Sequence, residues 1–333
     1  MDDIQRDISL NMVRVTEVAA LRASRYLGLN DKNAADQAAV DGMRGMLDLV
    51  NIRGRIVIGE GEKDKAPMLY IGEQVGNWDH PEYPELDIAV DPIDGTRLVA
   101  NGQANALAII AVGGKDSLAF LPTFYVQKLA YGPKLCGYLD INCPVRENLK
   151  VASACLSKST RDLTIAVMDR PRHKDLIAEI RECGARIKLI GDGDVAASIA
   201  TCIDDGRIDL YMGVGGAPES VLTAVAMRCM EGDIQVKLSP QNAAELESIK
   251  ADGYDPDRVY FAKDLAKGED MMFACTGITD GELLPGVKFR GNKAVSYSLA
   301  TRLKTKTIRH IQAEHNLRQK TIPSKTLSKE QLV

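Results

Sequence analysis

Asp91 and Asp94 stand three residues apart in the string DPIDGT (Asp91 to Thr96), directly after the β-branched stretch ELDIAV. Pro92 stiffens the turn between the two carboxylates, and Gly95 lets the backbone approach a ligand closely. A helix starting near Gly95 would turn free N–H groups toward an anion. Asp91 and Asp94 suit one or two divalent cations with a phosphate held beside them. A type I turn also uses Asp, Pro and Gly, but the whole string following a strand pattern favours a site. A second acidic loop, IGEGEKD, carries Glu60, Glu62 and Asp64. Carboxylates this close raise one another's pKa, and a hard cation such as Mg²⁺ or Mn²⁺ removes that cost. A solvated loop partnered by Lys63 and Lys65 is the plainer alternative, which a second acidic strand-end loop disfavours. Asp36 lies near a helix start, where complementing the helix dipole is its simplest role.

Further along, GVGGAPE places Pro218 and Glu219 in the first turn of a helix, where proline is well tolerated. The stretch lacks G-x-G-x-x-G and the Walker lysine, so a nucleotide is not expected. RPRH offers the guanidinium groups of Arg170 and Arg172, each able to hold a phosphate through paired donors. GDGD, with Asp192, Gly193 and Asp194, supplies acceptors for sugar hydroxyls or a cation, in competition with a helix N-cap role. No Ser-His-Asp arrangement and no cysteine in a basic loop suggests covalent catalysis.

The elements that must position these residues read as α/β. Helices are expected over 8–27 and about 35–50. Short strands are expected over 56–58, 86–90 and 106–112, with Tyr125 in a following loop. Pro and Gly punctuate 131–144, which suggests a boundary between a metal-binding domain, 1–150, and a sugar-phosphate-binding domain, 151–333. Beyond it, strands over 163–168, 186–190 and 208–212 alternate with helices over 174–183, to about 202 and to about 230. That alternation predicts a parallel sheet. Right-handed crossovers then bring RPRH, GDGD and GVGG to its carboxyl edge, where open α/β sheets bind ligands. Residues 241–262 read as helical and connecting, 273–279 as strand and turn, and the basic stretch from Arg302 as a solvated strand-plus-tail surface rather than a nucleic-acid arm.

Composition narrows the function further. Hydrophobic residues make up 45% and charged residues 26% of the chain, an ordinary globular balance. The longest apolar run, Ala106 to Val112, falls well short of the ~18 residues of a membrane span. The start MDDIQRD does not read as a secretory leader, so a cytoplasmic location away from membranes is expected. A net charge of −4 and 5% aromatics disfavour nucleic acid. The seven cysteines are scattered with no C-x-x-C, which suggests buried free thiols. With four histidines and no H-E-x-x-H, any metal must be held by oxygen rather than in a Cys/His zinc site. The inventory suits oxygen-ligated metals and a phosphorylated polyol.

From about residue 10 to 315 the chain resembles the class II fructose-1,6-bisphosphatases of bacteria, within the lithium-sensitive, metal-dependent sugar phosphatase superfamily. The resemblance is carried by DKNAAD, IRGRIVIGEGEKDKAPMLYIGE, DIAVDPIDGT, GQANALA, MDRPRH, DGDVAASI, GVGGAPE and FACTGIT, which stand in the family's order. It implies the layered α-β-α-β-α sugar phosphatase fold shared with inositol monophosphatase. It implies Mg²⁺ or Mn²⁺ on Asp36, Glu60, Asp91, Asp94 and Glu219, with the Ile93 carbonyl as an extra ligand. Substrate contacts would fall on Asp94, Gly95, Thr96, Tyr125, Arg170, Pro171, Arg172, Asp192, Gly193, Asp194 and Gly216. Thr96 would polarise the attacking water, with Asp64 or Glu62 near it. Many class II enzymes carry Glu where this chain has Asp94, and the shorter arm bears on the number and spacing of the ions. The implied reaction is the gluconeogenic hydrolysis of fructose 1,6-bisphosphate at its 1-phosphate, with sedoheptulose 1,7-bisphosphate as a further candidate substrate. The family suggests homo-oligomers, dimers or tetramers. DPIDGT alone also fits an inositol-monophosphatase-like or nucleotide-3′-phosphatase activity, whereas RPRH, DGD and GGAPE favour the bisphosphatase. A catalytically silent sugar-phosphate sensor would need no hydroxyl at Thr96.

Overall fold

The computed structural model describes residues 8–61, 68–203 and 207–320. In chain order the first elements are α1 (Ile8–Ala23), α2 (Lys32–Leu47), β1 (Arg53–Ile58), β2 (Gln74–Gly76), β3 (Glu85–Asp94), α3 (Thr96–Ala100) and β4 (Leu107–Gly114). Next come β5 (Tyr125–Tyr131), α4 (Val145–Leu156), β6 (Thr164–Met168), α5 (Lys174–Glu182), β7 (Arg186–Ile190), α6 (Asp194–Ala200), β8 (Leu210–Gly216) and α7 (Ala217–Cys229). They are followed by β9 (Asp233–Leu238), α8 (Ala243–Ala251), β10 (Tyr260–Phe261) and α9 (Ala262–Leu265). The last are β11 (Met271–Gly277), β12 (Lys288–Arg290), β13 (Lys293–Arg302) and β14 (Thr307–Asn316).

These elements form two compact units, each a mixed α/β assembly consistent with the expected phosphatase fold. One joins the chain up to Leu118 with the chain from Gly268, and the other is Ala119–Lys267. This differs from a division after residue 150. The Pro- and Gly-rich stretch is no boundary, because β5 before it pairs with β8 and β9 after it. The chain from β11 onward returns to the first sheet, where β11 pairs with β4.

In the first unit the strand order is β12-β13-β11-β4-β3-β1-β2, with β14 on β13. β1 runs parallel to β3, and β3 antiparallel to β4. α1 and α2 cover this sheet through Met12, Val15, Ala19, Met43 and Leu47, which share one core with Ile88, Val90, Ile110, Val112 and Met272. Asp31 caps α2 by accepting from the Ala34 N–H at 2.9 Å, so the helix starts earlier than its apolar stripe indicates. Arg302, expected on a solvated tail, is buried and pairs with Asp270 at 2.8 Å.

In the second unit the order is β10-β9-β5-β8-β6-β7. Only β7, β6 and β8 are parallel; β5, β9 and β10 are antiparallel additions. The expected parallel sheet is therefore confined to three strands; β6 and β7 precede RPRH and GDGD, whereas GVGG, expected as a loop, forms the end of β8 itself through its pairing with β5. α4 and α5 bury Leu149, Ala152, Ile177 and Ile180 against Leu129, Ile165, Val167 and Leu210.

All seven cysteines are free. Only Cys229 and Cys275 are buried, and Cys143 is exposed, so the expectation of buried thiols holds for two of them. Among the described residues no helix is long and apolar enough to cross a membrane.

Candidate active site

In the first unit Asp36 lies in the second turn of α2, past the helix start where dipole complementation would be its main role. Its pKa is raised, mainly by burial and against the opposing pull of Lys32. Glu60 follows β1 and is pushed up to about 7, first by burial and then by the negative charge of Asp36. Two carboxylates thus share one neighbourhood and destabilise each other's charge. Glu62 and Asp64 lie outside the described residues.

DPIDGT does not begin beyond a strand: β3 continues through Asp94. Its register against β4 shifts between Asp91 and Asp94, which pair with Ile109 and Leu107. Such a bulge re-aims the side chains of a strand end. Asp91 Oδ1 accepts from the Ile93 N–H at 3.1 Å, and Asp94 is buried. Gly95, at φ +94°, precedes the five-residue α3. The Thr96 hydroxyl, at the start of α3, donates to the Ile93 carbonyl at 3.4 Å.

In the second unit the RPRH turn meets both the GDGD turn and the GVGG end of β8. Arg170 Nη2 reaches Asp192 Oδ1 at 3.2 Å, which ties RPRH to GDGD. Arg172 donates from Nε and Nη2 to the Val214 carbonyl at 3.1 and 2.8 Å, which ties RPRH to GVGG. Arg172 also lies 5.3 Å over the Tyr125 ring. Tyr125 is the first residue of β5, paired with Gly216, rather than part of a loop; the alternation in YVQKLAY is a strand pattern. Pro171 opens a single 3-10 turn, Pro171–His173. Gly193, with φ +77°, precedes α6, whose first residue is Asp194. Asp194 Oδ2 accepts from Lys128 Nζ at 2.7 Å and from the Tyr211 hydroxyl at 3.2 Å. Lys128 and Asp194 are both buried.

Glu219 sits in the first turn of α7. Its carboxylate folds back over Gly216 so closely that a Cβ there would collide with it. Burial drives the Glu219 pKa up, opposed by the Lys128 charge and reinforced by Asp194. Its Oε2 is buried and receives no hydrogen bond. Among the described residues no three His, Cys, Asp or Glu side chains form a ready-made metal cage.

The model of the family described as "Bacterial fructose-1,6-bisphosphatase, glpX-encoded" matches residues 6–315. The chain is 44% identical over 330 residues to fructose-1,6-bisphosphatase 1 class 2 of Escherichia coli strain K12, covering 95% of this chain and 97% of that one. The same identity and coverage relate it to fructose-1,6-bisphosphatase class 2 of Shigella flexneri. The chain belongs to the bacterial, glpX-encoded fructose-1,6-bisphosphatase family.

Within this family member the second unit joins Arg170 to Asp192, Arg172 to Tyr125 and Tyr125 to Gly216 by direct contact or strand pairing, and ties Asp194 to Lys128 of β5. The first unit brings Asp36 close to Glu60 and sets Asp91 and Asp94 on one bulged strand end. Three residues escaped the reading of the sequence: Lys128, Tyr211 and, inside a motif already noted, His173. Lys128 left one trace, an isolated charge between Val126 and Ala130 on the buried alternate positions of β5.

Proposed function

We propose that this chain is a divalent-metal-dependent phosphatase that hydrolyses the 1-phosphate of fructose 1,6-bisphosphate to fructose 6-phosphate and phosphate. One observation carries the reading. Two guanidinium groups, an Asp-Gly-Asp turn and the start of α7 converge on one sheet edge, in a chain whose family and relatives are named for that bisphosphate.

Mg²⁺ or Mn²⁺ is proposed to bind Asp36, Glu60, Asp91, Asp94 and Glu219. Two features support the fit. Asp36 and Glu60 raise each other's cost of ionisation, which a dication relieves. Glu219 also keeps a buried carboxylate oxygen that no protein group serves. When bound, the ion lowers the pKa of a water and neutralises charge on the phosphoryl and leaving oxygens.

The chain's own residues do the positioning. Thr96, anchored on the Ile93 carbonyl, keeps its lone pairs free to accept from the attacking water, with Glu62 or Asp64 as the proposed acidic partner. Gly95 opens the backbone beside it. Arg170, Pro171 and Arg172 form the grip on the 6-phosphate, which does not react. Binding energy spent there orients the reacting end. Tyr125 walls the sugar, and Asp192, Gly193, Asp194 and Gly216 receive its hydroxyls. The seven free thiols suit a reducing compartment, which supports a cytoplasmic enzyme. A homo-oligomer, dimer or tetramer, belongs to the same proposal.

The test is a panel of phosphate release with Mg²⁺ and Mn²⁺. Its substrates are fructose 1,6-bisphosphate, sedoheptulose 1,7-bisphosphate, inositol 1-phosphate and a nucleoside 3′-phosphate. Turnover of the fructose bisphosphate well above the last two, lost on chelation and restored by metal, is expected. Preference for inositol 1-phosphate, full activity after exhaustive chelation, or metal-dependent binding without turnover overturns the proposal.

A further inference from the structure

β8 outruns its parallel neighbour. Its pairing with β6 ends at Tyr211 opposite Ala166, yet β8 continues to Gly216. Beyond that point a strand edge normally leaves its N–H and C=O groups unpaired. Here two side chains of the RPRH turn take the place of the missing strand. The Val214 N–H donates to His173 Nε2 at 2.8 Å, and the Val214 carbonyl accepts from Arg172 Nε and Nη2.

The other ring nitrogen settles the tautomer. His173 Nδ1 lies 2.7 Å from the Met168 carbonyl, which can only accept, so Nδ1 carries the hydrogen and Nε2 receives one. The ring is therefore neutral and joins the end of β6 to the exposed flank of β8. Burial and the charges of Arg172 and Arg170 also hold its pKa below the ordinary histidine value. Gly213 makes the approach possible. Its φ is +155°, and a Cβ there would lie 3.1 Å from His173 Nε2 and 3.3 Å from Cε1.

We infer that His173 is a positioning residue for substrate specificity: by fixing Val214, it fixes the Arg172 guanidinium that selects a sugar carrying a second, distal phosphate. The inference rests on the proposed function, because Arg172 is the distal grip only in that reading. His173 does not touch the reacting atoms, so its effect belongs in KM for the bisphosphate rather than in kcat.

Two variants of similar size separate this role from general packing. In His173→Gln the amide oxygen can still accept from the Val214 N–H. In His173→Asn the shorter amide can still donate to Met168 but not reach Val214. Loss of the anchoring hydrogen bond is expected to raise KM for fructose 1,6-bisphosphate about tenfold in His173→Asn, with kcat nearly unchanged. KM for fructose 1-phosphate, which lacks the distal phosphate, should stay constant, and His173→Gln should recover most of the loss. Equal losses on both substrates, or equal behaviour of the two variants, would show that His173 only fills space. If the wild-type chain releases no phosphate from the bisphosphate, the proposed function falls. Calorimetric binding of fructose 6-phosphate then judges the inference alone: weaker binding in His173→Asn than in His173→Gln supports it, and equal binding overturns it.

Discussion

Asp36 and Glu60 in the first unit, and Asp194 in the second, are carboxylates withdrawn from water under opposite arrangements. Burial and mutual repulsion leave Glu60 at about 7, and the Lys32 charge only partly offsets the burial of Asp36. Asp194 is buried more deeply but has Lys128 at 2.7 Å and the Tyr211 hydroxyl at 3.2 Å. The second unit supplies its own counterion, and the first stores repulsion that an added cation can relieve. In the proposed function this contrast would separate a surface prepared for a metal from one prepared for a sugar phosphate. Glu219, with one buried oxygen unserved and Lys128 as its main compensating charge, shares features of both.

The strongest test of the contrast removes charge at a proposed metal ligand. Asp91→Asn keeps the shape of the bulged strand end and its contact to the Ile93 N–H. It should therefore lower phosphate release by roughly a thousandfold or more while leaving the melting curve close to wild type. Near-normal turnover would remove Asp91 from the ligand set.

The counterpart in the second unit should fail in stability. Lys128→Met strands the Asp194 charge in a buried site, a change that typically costs about 3–5 kcal/mol. Denaturant unfolding of the variant should show a loss of that order. An unchanged midpoint would mean that Asp194 is not held as an ion.

Glu60→Gln should act in the opposite direction when the protein is kept metal-free by chelation. A carboxyl whose folded pKa is raised from 4.5 to about 7 favours folding when protonated, and its charged form costs stability as pH rises through that interval. By linkage the cost reaches at most roughly 3 kcal/mol above pH 7. The neutral variant should therefore be more stable than wild type at pH 8, and the difference should disappear near pH 4. A pH-independent difference would show that packing, not charge, sets the environment of Glu60.

How much of this was legible beforehand depends on the range of the interactions. The span of β7 and the start of α5 follow from alternation and helical period within a few residues, and sequence reading places them correctly. The basic stretch from Arg302, expected as a solvated strand and tail, does hold the largely exposed β14, whereas β13 before it went unread although Ala294, Leu299 and Ala300 are buried. The division into units was hidden because β11 pairs with β4 across some 160 residues of chain. At the site, DPIDGT and RPRH announce themselves because their residue types are costly to place without a purpose. Lys128 and His173 do not, since their roles come from partners 66 and 41 residues away.

The smallest expected effect sharpens the account of Asp194. The Tyr211 hydroxyl and Lys128 Nζ both donate to the same oxygen, so removing the hydroxyl leaves the ion pair in place. Tyr211→Phe should cost about 1–2 kcal/mol, as for one hydrogen bond to a charged group. The double variant Lys128→Met/Tyr211→Phe should fall short of additivity or exceed it, because two donors on one acceptor are coupled. If the carboxyl takes up a proton once Lys128 is gone, it no longer needs the hydroxyl, and the second loss shrinks. If it stays charged, Tyr211 becomes its sole remaining partner of the two, and the second loss grows. Simple additivity would indicate that the hydroxyl and the ammonium act on Asp194 independently, contrary to the shared-oxygen geometry.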